Sequence, residues 1–234
     1  MNSKKPTDPG YTAGKSHFIV GTDTGVGKTF CTCALLHAMQ KRGIKAIGMK
    51  PVAAGTESDG QNEDVRALLA ASTIKAAQEL VNPYCFTPAI APHIAAAEEG
   101  IRIDLERILA ALKELQTISE TVLVEGVGGF IVPLGPDSDT ADLAVKLALP
   151  VILVVGMRLG CINHAMLTAR AISACGLQLD GWIANRIDPQ MNRFAENLEA
   201  LQQRLDAPLL GIIPANSRPQ DAAQYLDLDR LRVS

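Results

Sequence analysis

The chain has 234 residues, 47% of them hydrophobic but only 4% aromatic, and 22 Lys and Arg set against 25 Asp and Glu leave a formal net charge of −3. That length suits one large α/β domain, the aliphatic bias suits a parallel sheet covered on both faces, and the charge balance leaves no basic footprint for nucleic acid or an anionic membrane. The longest apolar run, Leu147 to Met157, contains Pro150 and is too short to span a bilayer. Residues 1–16 are polar with no apolar stretch, so they are read as a disordered tail, not a secretory signal, ahead of a single domain at 17–234. Five cysteines, Cys31, Cys33, Cys85, Cys161 and Cys175, are odd in number and scattered, which predicts reduced thiols in a cytoplasmic protein. Cys31 and Cys33 are two apart on a predicted helix and face different ways, so they read as small buried residues and not as metal ligands. The four histidines also lack metal-ligand spacing.

In chain order, His17 to Val20 is a short apolar strand, and Phe30 to Arg42 is a helix stopped by Gly43. Lys45 to Met49 is a second strand, and residues 51–62, rich in Gly, Ser, Asp and Asn, form a loop. Glu63 to Ala71 and Ala91 to Glu99 read as helices, with Asn82 to Pro88 irregular or briefly extended between them. Asp104 caps a helix to Gln116 whose apolar positions are Leu105, Ile108, Leu109, Leu112 and Leu115. Thr121 to Val124 and Pro150 to Val155 are buried strands. A helix over Cys161 to Ala174 ends before Gly176, and strand 178–185, helix 192–205 and strand 208–213 complete the series. Strands alternating with helices predict a mostly parallel, doubly wound sheet flanked by helices.

Gly21-Thr22-Asp23-Thr24-Gly25-Val26-Gly27-Lys28-Thr29 closes the first strand and opens the first helix, the setting a phosphate-binding loop requires. It is a variant, since the first glycine stands one residue earlier than the usual eight-residue spacing allows. The physics survives the shift. Glycines let backbone N–H groups turn inward, the helix N-terminus adds partial positive charge, Lys28 can reach outer phosphates, and Thr29 can offer a hydroxyl to Mg²⁺. The predicted fold is therefore a single-domain P-loop NTPase type.

In open α/β sheets, ligands gather beyond the carboxyl ends of the strands. Glu125 ends one strand and precedes the side-chain-poor run Gly126-Val127-Gly128-Gly129, an arrangement that suits a metal carboxylate beside phosphates. Lys50 closes another strand before Pro51, where its point charge can neutralise a developing anion. Asp64, following Asn62 and Glu63, reads taken alone as a helix cap or first-turn acid.

Taken together, the phosphate loop, Lys50-Pro-Val-Ala-Ala-Gly55, Val81-Asn-Pro-Tyr84, Val124-Glu-Gly-Val-Gly-Gly129, the stretch Val154 to Thr168 containing Gly160-Cys-Ile-Asn-His-Ala165, and Gly181-Trp-Ile-Ala-Asn185 resemble the dethiobiotin synthetase family over about residues 17–214. The resemblance implies an ATP- and Mg²⁺-dependent ligase that carboxylates 7,8-diaminopelargonate with CO₂ and closes a cyclic urea through a phosphorylated carbamate. It makes Lys50 catalytic, bridging carbamate and γ-phosphate, with Lys28 on the β/γ-phosphates and Thr24 at the reacting groups. Thr29, Asp64 and Glu125 would place Mg²⁺. Gly25, Val26, Gly27, Phe30, Gly126, Val127 and Gly128 would line the nucleotide site, and Asn185 and Arg186 with Pro214, Ala215 and Asn216 would read the base. Lys50, Ala54 and Gly128 would meet substrate, and Cys161, Ile162 and Asn163 would bind its carboxylate tail from a neighbouring subunit, implying a homodimer.

Three departures stand out. Ala54 replaces a hydroxyl residue frequent in relatives, Gly25 an acid found in some, and the segment beyond Asn216 aligns poorly. A switch ATPase of the partitioning or division-site type shares the sheet and the loop, but usually adds a signature Lys near the loop's start, which Gly21-Thr22-Asp23-Thr24 lacks. A related amidating synthetase acting on a corrinoid ring normally needs a glutamine-hydrolysing domain, for which this chain has no room.

Overall fold

A computed structural model describes residues 16–231. Its main sheet has six strands, all parallel: β1 (His17–Gly21), β2 (Ala46–Met49), β5 (Thr121–Glu125), β6 (Val151–Gly156), β7 (Leu179–Asn185) and β8 (Leu209–Ile213), in the spatial order β2-β5-β1-β6-β7-β8. A separate two-stranded parallel ribbon pairs β3 (Val52–Ala54) with β4 (Tyr84–Phe86). The helices are α1 (Lys28–Lys41), α2 (Glu63–Ala71), α3 (Gln78–Val81), α4 (Pro92–Glu98), α5 (Leu105–Ile118), α6 (Thr140–Leu147), α7 (Cys161–Ala174), α8 (Phe194–Gln202) and α9 (Pro219–Ala222).

The strand interiors read as unbroken apolar runs because both faces are covered. Phe18, Val20, Ile47, Val122, Val124, Leu153 and Trp182 point into one core, shared with Ile108 and Leu112 of α5 and Leu143 of α6. Their alternating neighbours Ile19, Ala46, Leu123, Ile152, Val154 and Ile183 point into the other, shared with Leu35 and Leu36 of α1 and Ala222 of α9. The period-2 alternation of side chains thus feeds two helical layers, each fully buried aliphatic side chain contributing roughly 1.5–3 kcal/mol of transfer free energy.

Most predicted elements stand where the pattern put them, with α2 and α7 matching residue for residue. Residues 51–62 are a correction: the expected loop contains β3, which forms by pairing Val52 with Tyr84 and Ala54 with Phe86, partners some thirty residues away that local composition cannot announce. The short α3 and α9, and α6, carried too few periods to be read. Of the segment expected to be a tail, residues 1–15 lie outside the described residues. Ser16 is buried, and its hydroxyl accepts from the backbone N–H of Val122. Among the described residues no helix is long and apolar enough to cross a membrane.

Candidate active site

The carboxyl ends of β1, β2 and β5 lie side by side, and the chain leaving them lines a common cavity of about 1020 Å³ with Lys28 after β1, Lys50 after β2 and the backbone of Val127 to Gly129 after β5, while Glu125, the last residue of β5, is fully buried behind Lys50 and Thr29. After β1 the phosphate loop turns on Gly25 (φ 73°) and Gly27 (φ 85°), left-handed conformations in which a Cβ is strained. At Gly27 an added Cβ would also lie 2.2 Å from Nδ2 of Asn185. That amide donates to the carbonyl of Val26 at 2.8 Å, so the end of β7 braces the loop from below. At the loop's tip the carboxylate of Asp23 accepts from its neighbour Thr24 N–H at 2.8 Å and pairs with Arg158 at 2.7 Å.

Lys28 is folded back into its own loop, with Nζ donating to the carbonyls of Gly128 at 2.6 Å and Asp23 at 3.1 Å. Burial, followed by repulsion from Lys50, pulls its pKa down from 10.5 to about 8 against the opposing pull of Glu125, Asp64 and Asp23. Gly128, at φ 64°, brings its carbonyl to Lys28, and Val132 fills the space a side chain there would need.

Lys50 and Glu125 are both buried, at 3% and 0% exposure. Lys50 Nζ lies 2.6 Å from Glu125 Oε1, 3.0 Å from Asp64 Oδ2 and 3.3 Å from the carbonyl of Gly126. Burial works to lower the Lys50 pKa, but the two carboxylates outweigh it, and the ammonium is held above its ordinary value. Burial likewise works to raise the Asp64 pKa, and Lys50 together with the Thr29 hydroxyl overcomes it, so Asp64 titrates below the usual carboxylate range. The Thr29 hydroxyl lies 2.7 Å from both Asp64 Oδ1 and Glu125 Oε1, and its single proton serves one of them at a time. The cap reading of Asp64 is corrected. Asn62 caps α2 by accepting from Val65 N–H, and Asp64, two residues on, turns into the site.

This donor set fits a hard divalent cation. A hydroxyl and two carboxylates converge, and Glu125 Oε2 is buried without a hydrogen-bond partner. Two carboxylates and a hydroxyl are the kind of partial donor set that Mg²⁺ accepts, since it is usually held by one or two carboxylates plus phosphate oxygens and water.

Ala53, Ala54 and Val127 line the same cavity, as do Ala89 to Ala91 before α4 and Pro92 at its start, residues that the sequence had not pointed to as part of a site. It also missed Asn82, whose buried Nδ2 donates to the carbonyls of Lys50 at 2.6 Å and Tyr84 at 2.9 Å and so fixes the backbone from which Lys50 projects. The signal was present in Val81-Asn-Pro-Tyr84, since a polar residue between buried ones needs a partner.

Other sequence-selected residues stand elsewhere. Val26 is buried in the α1-side core, against which Phe30 packs, and Gly126 N–H donates to the carbonyl of Ile19. Arg186 stacks over Phe194, 4.9 Å from the ring centroid, and Pro214, Ala215 and Asn216 form a turn after β8 with Asn216 at φ 59°. Neither Arg186 nor that turn lines the cavity. Cys161, Ile162 and Asn163 open α7 and do not line it either; Cys161 is buried in the apolar core and Asn163 is exposed. Cys31 and Cys33 are buried as expected, with burial pushing the Cys33 thiol up to about 12.

A parallel sheet with a glycine loop, a buried Lys and a Thr-carboxylate cluster at its carboxyl edge defines a phosphate-loop nucleotide-binding protein. Solved structures agree on the fold: the MinC:MinD cell division protein complex of Aquifex aeolicus superposes with a TM-score of 0.56 at 20% identity, covering 89% of this chain and 85% of that one, and a ParA family ATPase from Chlorobium tepidum gives 0.55 at 12% identity, covering 92% of each. A family model described as an AAA domain matches residues 15–222. An ATP-dependent dethiobiotin synthetase from Aromatoleum aromaticum is 58% identical over 92% of this chain and 97% of its own, and one from Nitrosospira multiformis is 55% identical over 94% and 98%. The chain belongs to the ATP-dependent dethiobiotin synthetase family and is a ligase.

Proposed function

We propose that the protein joins 7,8-diaminopelargonate and CO₂ at the expense of ATP to form dethiobiotin, ADP and phosphate, in the cytoplasm and as a homodimer. The observation that carries the reading is the meeting of two buried lysines with Thr29 and Asp64 in one cavity, with Glu125 buried against Lys50 and Thr29 at its base, in a chain 58% identical to an ATP-dependent dethiobiotin synthetase.

The chemistry proceeds in three bond changes. One substrate amine adds to CO₂ and loses a proton, giving a carbamate. A carbamate oxygen takes the γ-phosphoryl group as the bond to ADP breaks. The second amine then attacks the activated carbonyl, loses a proton and expels phosphate, closing the urea ring. The residues act mainly by position and charge, as phosphoryl transfer requires. Lys28 and the inward N–H groups from Gly25 to Thr29 hold the triphosphate at the start of α1. Thr29, Asp64 and Glu125 would hold Mg²⁺, which when bound offsets negative charge between the β- and γ-phosphates. Lys50 stabilises the carbamate oxygen as it meets the γ-phosphorus, with Thr24 and the Gly128 backbone beside it. Asn185 and Arg186 with the 214–216 turn recognise the base. Ala54 leaves that wall of the cavity without a hydroxyl.

The substrate's carboxylate tail is assigned to the start of α7 in a second copy. In support, Cys161 to Asn163 do not line this chain's own cavity, Asn163 is exposed, and Leu159 beside them is 92% exposed. A helix start offers unpaired N–H groups to an anion.

Phosphate release from Mg²⁺-ATP and bicarbonate, with and without 7,8-diaminopelargonate, tests the reading. Release that needs the diamine, with dethiobiotin seen by mass, is expected. Release indifferent to the diamine would hand the assignment to a switch ATPase.

A further inference from the structure

A lysine ammonium carries three protons, and in Lys50 all three are spent inside the protein. They face Glu125 Oε1 at 2.6 Å, Asp64 Oδ2 at 3.0 Å and the Gly126 carbonyl at 3.3 Å. In this arrangement no N–H of Lys50 is left to meet a phosphoryl or carbamate oxygen. The same two carboxylates, joined by Thr29, are the hard oxygen donors that fit a divalent cation. Two carboxylates sharing one half-buried hydroxyl repel each other unless a cation lies between them.

We propose that Lys50 has two stations: in the nucleotide-free protein its ammonium is the resident counter-ion of the Glu125–Asp64 pair, and the arriving divalent cation displaces it toward the cavity. The cation and the Lys50 ammonium then compete for the same oxygens. Lys50 becomes available as a donor to substrate only after the cation has displaced it. Asn82 holds the Lys50 backbone at both stations, so the movement is confined to the side chain. The inference rests on the nucleotide and cation site of the reading above, and not on the diamine.

The first test uses the nucleotide-free full chain and Mn²⁺ as the probe, followed by the electron paramagnetic resonance of the free ion. Lys50→Met is expected to bind Mn²⁺ at least tenfold more tightly than the wild type. Lys28→Met, which removes a nearby positive charge but no ion pair to these carboxylates, is expected to gain less than threefold. Equal Mn²⁺ affinity in wild type and Lys50→Met, or an equal gain in the two variants, overturns the proposal. A second measurement needs no substitution at Lys50. In ¹⁵N-lysine protein the Lys50 ammonium resonance is expected to shift with Mg²⁺ and ADP but to stay in place with ADP and a chelator. A resonance that ignores the metal overturns the displacement. Neither readout involves 7,8-diaminopelargonate, so a failure of the diamine assay and a failure here are separate results.

Discussion

The ends of β1 and β2 each deliver a buried lysine to one cavity, and the two lysines are tuned in opposite directions. Lys28 rests on neutral carbonyls of Gly128 and Asp23, and its pKa falls to about 8. Lys50 rests on Glu125 and Asp64, and its pKa rises. Backbone carbonyls only partly replace lost water, whereas two carboxylates more than replace it. Lys28 is therefore a charge held at a cost until an anion arrives, and Lys50 is a charge already satisfied.

That contrast predicts different losses on truncation. Lys28→Ala should weaken nucleotide binding about 10–100-fold and cut turnover by about 10³ or more, because it removes a phosphate contact that is made in the ground state and strengthens as charge develops in the transition state. Lys50→Ala should keep affinity for metal-free nucleotide within a few-fold while turnover falls by about 10²–10³, the usual cost of losing one preorganised charge donor. Calorimetry with ADP and steady-state phosphate release separate the two. Unchanged turnover in Lys50→Ala would remove it from the catalytic groups.

The bracing of the phosphate loop comes next in size. Gly27→Ala places a methyl at φ 85° and 2.2 Å from the Asn185 amide, so the loop must shift and the Asn185 bond to Val26 must break. A loss of roughly 1–3 kcal/mol in stability is expected from strain alone, together with at least tenfold weaker nucleotide binding, readable by thermal melts with and without ADP. Gly25→Ala carries similar backbone strain but meets no atom within 4 Å, so its effect should be smaller. Equal effects at the two glycines would mean that the Asn185 contact is dispensable.

The pH dependence of nucleotide binding sharpens the lysine comparison further. Lys28 of the empty site gives up its proton near pH 8, and a bound phosphate favours the charged form, so the proton must be taken back on binding. Affinity should hold below pH 8 and fall above it, approaching tenfold per pH unit. Lys50, held above 10.5, stays charged across that window. Binding titrations between pH 6.5 and 9.5 should show the slope in the wild type and lose it in Lys28→Met. A slope that survives in Lys28→Met belongs to another group.

How much of this was legible in the sequence follows from distance along the chain. The phosphate loop, Glu125 after an apolar strand, and Lys50 before Pro51 each announce themselves within a few residues, because strand, turn and charge are adjacent. Asp64 did not, since a first-turn acid looks alike whether it faces solvent or a threonine 35 residues away. The β3–β4 pairing and the grip of Asn82 on Lys50 are likewise contacts between distant segments. Only the family resemblance reached that far, and it could not foresee that the ammonium of Lys50 sits on the carboxylates it was expected to work beside.

The smallest expected effect lies farthest from the lysines, at the start of α7. Asn163 is exposed and lines no part of this chain's own cavity, so within one protomer Asn163→Ala should change neither nucleotide affinity nor stability. If a second copy presents this helix start to the substrate's tail, the same change should raise the diamine KM about threefold to tenfold, the worth of one ordinary hydrogen bond, with kcat held within twofold. A dilution series should then show activity falling as the dimer dissociates. An unaltered KM, or full activity at concentrations where only monomer sediments, would place the tail site within a single chain and leave Asn163 a surface residue.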